Sequence, residues 1–128
     1  MIAAAALLLL ATGGAAGDCV RLLQSSTVPV EKELALFESK PANSAEALTA
    51  AREVLARAQE ARGRLEGAQV SAFCAPSRGE ELIYLNHLTL GFTGWIAARA
   101  RRPPRVYDLA SVIRRARTHR ERGRARLR

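Results

Sequence analysis

The sequence predicts an all-α protein, an antiparallel up-down-up bundle of three long helices plus a short C-terminal basic helix, and three observations predict it. Alanine, leucine, glutamate and arginine dominate a chain that is 48% hydrophobic, and the strict apolar–polar alternation of a half-buried strand is nearly absent. Apolar residues instead recur at steps of three and four in three segments of about 22 residues, or about 33 Å of helix each, joined by short connections. Two cysteines, Cys19 and Cys74, open the first and third of these segments, the two starts that an up-down-up order brings to one end. A chain of 128 residues has room for one domain.

The first element is a leader. Residues Ile2 to Ala11 are apolar, and Thr12, Gly13, Gly14, Ala15, Ala16 and Gly17 follow, so residues 1–17 read as a secretory signal peptide cleaved before Asp18. The apolar run is shorter than the roughly 20 residues that span a bilayer, and no Lys or Arg precedes it, which is atypical of a leader. Export, periplasmic or secreted, implies an oxidising compartment, where Cys19 and Cys74 are expected to pair. Closing a loop of about 56 residues stabilises a fold by about 4 kcal/mol in the chain-entropy account. No CxxC and no Cys/His cluster occurs, so no zinc, covalently attached haem or other cofactor is expected.

Residues 18–102 are expected to form the disulfide-stapled bundle. Its first helix, reaching about Lys40, carries Val20, Leu23, Val30, Leu34 and Phe37, with Pro29 inside it. Proline costs about 3 kcal/mol in a helix interior, so a kink or restart is expected near Thr27 to Val30. Pro41 ends it, and Asn43-Ser44-Ala45-Glu46 starts the second helix, with Asn43 or Ser44 as cap and Glu46 completing a capping box on Asn43. Leu48, Ala51, Leu55, Ala58, Arg62 and Leu65 then form a seam broken by Arg62, and Gly63 and Gly67 mark the fraying end. The third helix is expected to be capped by Ser77 with Glu80 reaching back. No formal charge occurs from Leu82 to Ala98, the pattern of a central helix, and Pro103-Pro104 stop it after Arg99, Arg101 and Arg102.

Residues 103–128 are the arginine-rich end. Val106, Leu109, Ile113 and Ala116 give a short docked helix to about Glu121, with Asp108 as cap, and Arg122 to Arg128 are expected to be a solvated tail. From Arg99 onward 12 arginines stand against Asp108 and Glu121, a net of +10, while the rest of the chain sums to −2. With two lysines in the whole chain, the arginine excess also fits a bias of composition.

Arg101, Arg102, Arg105, Arg114, Arg115 and Arg117 are the candidate anion-binding residues, for an anionic membrane surface, an envelope polymer or a protein partner. Nucleic acid is the weakest candidate, because export separates the chain from it and no aromatic residues interleave the arginines for base stacking. Enzymatic function is not expected: no nucleophile–base pair can be read, His87 and His119 are the sole histidines, and pairs such as Glu53–Arg57 and Glu60–Arg64 are ordinary surface ion pairs. Two alternatives stand beside the non-enzymatic module. Tyr84 and His87, one turn apart in an apolar helix, are candidate ligand-binding residues that could approach one haem iron. Residues 82–98 could cross a membrane once, with the following arginines held inside.

Overall fold

The computed structural model describes residues 14–128, which form four α-helices: α1 (Ala15–Glu38), α2 (Ala45–Gly67), α3 (Ala75–Ala100) and α4 (Leu109–Ala125). No strand occurs among the described residues. Of the leader expected over 1–17, residues 1–13 lie outside the described part, and Ala15–Gly17 belong to the first turn of α1.

Pro29 does not break α1, which runs through it as one 24-residue helix. A proline has no N–H to offer the carbonyl four residues before it, here that of Ser25. Arg64 of α2 supplies a donor there, its Nη1 lying 3.5 Å from Ser25 O. Tertiary contact thus offsets part of the local penalty, which is how proline survives inside a packed helix. Ser26 and Thr27 turn their hydroxyls back onto the carbonyls of Leu22 and Leu23, at 2.8 and 2.7 Å, so both polar side chains are satisfied although buried.

In α2 the cap is Ser44, whose Oγ accepts from Ala47 N–H at 3.1 Å, so Glu46 sits in the first turn as a dipole partner and closes no capping box. The buried stripe is Ala47, Ala51, Val54, Ala58, Ala61 and Leu65, which shares Ala51, Ala58 and Leu65 with the expected seam and replaces Leu48, Leu55 and Arg62 by their neighbours Ala47, Val54 and Ala61. Leu55 packs only partly against the core, and Arg62 lies on the flank, where its Nη1 donates to Asn86 Oδ1 at 3.2 Å. A face built largely of alanine lets neighbouring helix backbones come close, and long side chains then serve the edges.

Helix α3 starts three residues earlier than a Ser77 cap would place it: Cys74 is the N-cap, without a side-chain cap bond, and Pro76 falls in the first turn, where a missing N–H costs nothing. Ser77 is instead buried, and Glu80 pairs with α4. Helix α3 packs on both α2 and α4, burying Tyr84, Leu85, Leu88 and Phe92 completely. Its outer side is not covered, and Leu90 is 73% exposed. No helix among the described residues is long and apolar enough to cross a membrane, which corrects the single-pass alternative at 82–98.

The Cys19–Cys74 disulfide is present, with 5.6 Å between the Cα atoms, and joins the first turns of α1 and α3. It fits an exported, oxidising compartment. Toward the other end of α1, Phe37 meets Phe92 and Trp95 edge-on, with ring centroids 4.9 and 5.3 Å apart. One helical bundle therefore has α1 tied to α3 by sulfur at one end and by aromatic rings at the other.

The largest departure is at the C-terminus. Helix α4 is 17 residues long, is capped by Asp108 Oδ1 accepting from Ser111 N–H at 3.2 Å, and places Leu109, Ile113 and Ala116 in the common core. The stretch expected to be a solvated tail from Arg122 is helical and docked as far as Gly123 and Arg124. At Gly123 an added Cβ would lie 2.8 Å from Glu80 Cβ and 3.1 Å from the Ser77 carbonyl oxygen, so the two helices approach too closely there for a side chain. Residues 103–128 thus share the core of 18–102.

Candidate functional site

Eight arginines of the C-terminal quarter fall into two sets. In the first, each arginine has a carboxylate on another helix. Arg117 donates to Glu38 through both terminal nitrogens, at 3.1 and 2.5 Å, and this pairing raises its already high pKa. Arg120 reaches Glu31 at 2.5 Å and sits 5.1 Å above the Tyr84 ring, and Arg124 Nε donates to Glu81 Oε1 at 2.5 Å while its Nη2 donates to Thr27 at 2.9 Å. As the α4 partner advances from 117 to 124, the α1 partner recedes from Glu38 through Glu31 to Thr27, so a row of polar contacts, two of them ion pairs, links α4 to α1, and the Arg124–Glu81 pair continues it onto α3. His119 belongs to this row rather than to solvent: its Nδ1 lies 2.8 Å from Glu80 Oε2.

Glu81 is the anchor of that row, and it is 0% exposed. Burial holds its carboxyl above the usual glutamate range, and the hydrogen bond and charge of Arg124 pull it back down. Its second oxygen has no hydrogen-bond partner among the described residues. Tyr84 is fully buried as well, its phenol pushed up to about 12 by desolvation, with Arg120 acting in the opposite direction. Tyr84 faces the core, while His87 is half-buried on the flank with Nδ1 donating to Ile83 O at 2.9 Å. The His87 and His119 rings are neighbours, 5.2 Å apart. Among the described residues no group of three or more His, Cys, Asp or Glu is placed to hold a metal ion.

The second set has no acidic partner among the described residues. Arg101, Arg102, Arg105, Arg114 and Arg115 are exposed, and the one side-chain bond recorded for them is Arg102 Nη1 to the carbonyl of Arg101 at 3.2 Å. Asp108 is near Arg114 and Arg115, but its carboxylate is occupied by the Ser111 hydroxyl and N–H, which hold its pKa below the ordinary range. Of the six arginines singled out from the sequence, Arg117 therefore serves the fold, and the other five remain turned to solvent.

Arg102 and Arg105 also line a groove of about 810 Å³ at the turn between α3 and α4. Arg52 of α2 and Arg99 of α3 join them, over an apolar floor that includes Leu48, Trp95, Ile96 and Tyr107, with the fully exposed Val106 at its edge, and no carboxylate lines it. The sequence reading missed Arg52, Arg99, Trp95 and Tyr107 as a group, because they come from three separate segments and share no spacing. A hint existed in the run Pro104-Arg105-Val106-Tyr107, where apolar residues flank an arginine beyond the helix stop. Comparison with protein-family models, with curated proteins and with solved structures found no match.

Proposed function

We propose that this chain is an exported, non-enzymatic module, an antiparallel helical bundle in up-down-up order with α4 folded back on it, that associates with an anionic envelope or membrane surface. The observation that carries the reading is the sorting of the arginines. Arg117, Arg120 and Arg124 are matched with acids on α1 and α3, whereas among the described residues Arg101, Arg102, Arg105, Arg114 and Arg115 are unmatched around the α3–α4 turn, as are Arg122 and Arg126 farther along α4. Unmatched surface charge adds little to folding, and it attracts anionic surfaces at about 1 kcal/mol per arginine near the headgroups.

The test is co-sedimentation with phosphatidylglycerol vesicles against phosphatidylcholine vesicles over a range of salt. Because Ile113 and Ala116 are core residues, deleting residues 103–128 would damage the fold, and charge substitution is the cleaner perturbation. Changing Arg101, Arg102, Arg105, Arg114 and Arg115 together to Gln should weaken association at least about a hundredfold at low salt, at about fivefold per charge. Equal binding to both vesicle types, or binding that ignores salt, would remove the reading.

A further inference from the structure

We infer that the groove at the α3–α4 turn is a binding site for a single-chain amphiphile with an anionic head, the chain lying on the apolar floor and the head held by Arg102 and Arg105. The inference rests on the surface-association reading insofar as the same two arginines face the anion, and it adds a discrete site with its own ligand chemistry.

Size comes first. Small-molecule sites measure about 300–1,000 Å³, and the groove of about 810 Å³ falls within that range. Its chemistry is two-sided. Trp95, Ile96 and Leu48, each partly buried, offer apolar contact from the floor, and Val106, 100% exposed, offers it from the edge. Four arginines with no opposing carboxylate give the lining a single sign of charge, and low-dielectric walls concentrate such a field. An inorganic anion would leave the apolar floor wet, and an uncharged chain would leave the guanidinium groups unused. A ligand carrying both parts satisfies both.

The walls are also held in place. Arg99 donates to the carbonyls of Ala42, Asn43 and Ser44 at 2.8, 3.0 and 2.7 Å and lies 5.3 Å over the Trp95 ring, which fixes both side chains. Arg105 N–H bonds to Ala98 O at 2.9 Å, tying the turn back to α3. The Tyr107 ring sits so close to Gly94 that a Cβ there would lie 2.7 Å from it, and this contact sets the position of the far wall. A site already shaped before the ligand arrives avoids part of the ordering cost of binding.

Trp95 is the single tryptophan of the chain, so its emission reports this groove and no other place. Dodecyl phosphate, kept below its micelle concentration, should produce a saturable one-to-one change in Trp95 emission in the disulfide-intact protein. Dodecyl maltoside, with the same chain and no charge, and inorganic phosphate, with no chain, should each bind at least about tenfold more weakly, since a hydrogen bond to a charged group contributes about 1.5–3 kcal/mol. Arg102→Gln with Arg105→Gln should lose about ten- to hundredfold in affinity with unchanged far-UV circular dichroism. Arg114→Gln with Arg115→Gln, outside the groove, should leave dodecyl phosphate binding within about twofold while weakening vesicle association.

A silent Trp95, equal affinity for dodecyl phosphate and inorganic phosphate, or indifference to the Arg102 and Arg105 changes would overturn the site. If anionic vesicles still bind in that event, the surface reading stands and the groove reading alone has failed. If dodecyl phosphate binds as described while vesicles do not, the groove stands and the surface reading has failed.

Discussion

Replacing Arg124 by alanine removes the partner of the one side-chain carboxylate that lies wholly inside the protein among the described residues. Glu81 is 0% exposed and the Arg124 side chain is 17% exposed, so their bond is shielded from water on nearly every side. Breaking such a pair from one end costs about 3–5 kcal/mol, because the remaining charge is left unpaired. The lower end, about 3 kcal/mol, applies here, since Arg120 stays within electrostatic reach of Glu81. Against a total stability of about 5–15 kcal/mol this is a large fraction. In urea, with a slope of about 1–3 kcal/mol per molar, the midpoint should fall by about 1–3 M, read by circular dichroism and Trp95 emission together. The cost should also depend on pH, with a definite sign. Burial raises the folded-state pKa of Glu81, and removing Arg124 raises it further, so the native state binds more protons than the unfolded chain. Stability is then greatest in acid and declines as pH rises from the ordinary glutamate range through the folded-state value, and the Arg124→Ala penalty should grow over the same window. Adding Glu81→Gln to Arg124→Ala should recover part of the loss at neutral pH. A penalty below about 1 kcal/mol with no pH dependence would refute the reasoning, because it would mean that α4 does not cover Glu81 in solution.

Three further outcomes follow from the packing. Cys19→Ala with Cys74→Ala opens a covalent link spanning 55 residues, and urea unfolding should show a loss of about 4 kcal/mol with the helical spectrum retained. Gly123→Ala pushes a methyl group against Glu80 Cβ and the Ser77 carbonyl and should destabilise by about 1–3 kcal/mol, whereas Gly79→Ala, with nothing within 4 Å of the new Cβ, should stabilise by about 0.5–1 kcal/mol. Ser44→Ala removes the acceptor for Ala47 N–H and should cost about 1 kcal/mol, visible as a lower thermal midpoint.

Helix existence and the sulfur pairing were legible in the sequence because both rest on local or topological regularities. Period-three-to-four spacing marks an amphipathic helix wherever it sits, and two starts at one end of a bundle bring Cys19 to Cys74. Boundaries were less legible. Ser77 followed by Glu80 has the form of a capping box, yet Glu80 has a stronger use against His119 on another helix, and the start moves back to Cys74. The α2 seam placed Ala51, Ala58 and Leu65 on the buried face, but it also took in Leu48, Leu55 and Arg62, because large residues weigh most in a periodic pattern. The core takes their neighbours Ala47, Val54 and Ala61 instead, since close helix approach rewards small side chains. Pro29 was read from its local cost, which ignores a donor arriving from Arg64 39 residues away.

The arginine-rich end misled for a related reason. A run of like charges reads as solvated when its counter-charges are distant in the chain, and here Glu31, Glu38, Glu80 and Glu81 stand on α1 and α3. Charge composition counts the arginines, but their division into structural and unmatched sets is decided by tertiary placement. The groove was hidden by the same fact, since Arg52, Trp95 and Tyr107 meet only after two helices and the α3–α4 connection have packed.

Docking of α4 decides which arginines pair within the fold and which stay turned to solvent. Hydrogen–deuterium exchange of the oxidised protein measures it directly, through the amides of residues 113–123. The account predicts protection there comparable to that of residues 84–92 in α3, falling when Arg124 becomes alanine. Exchange at the rate of an unstructured peptide in the intact chain would contradict it.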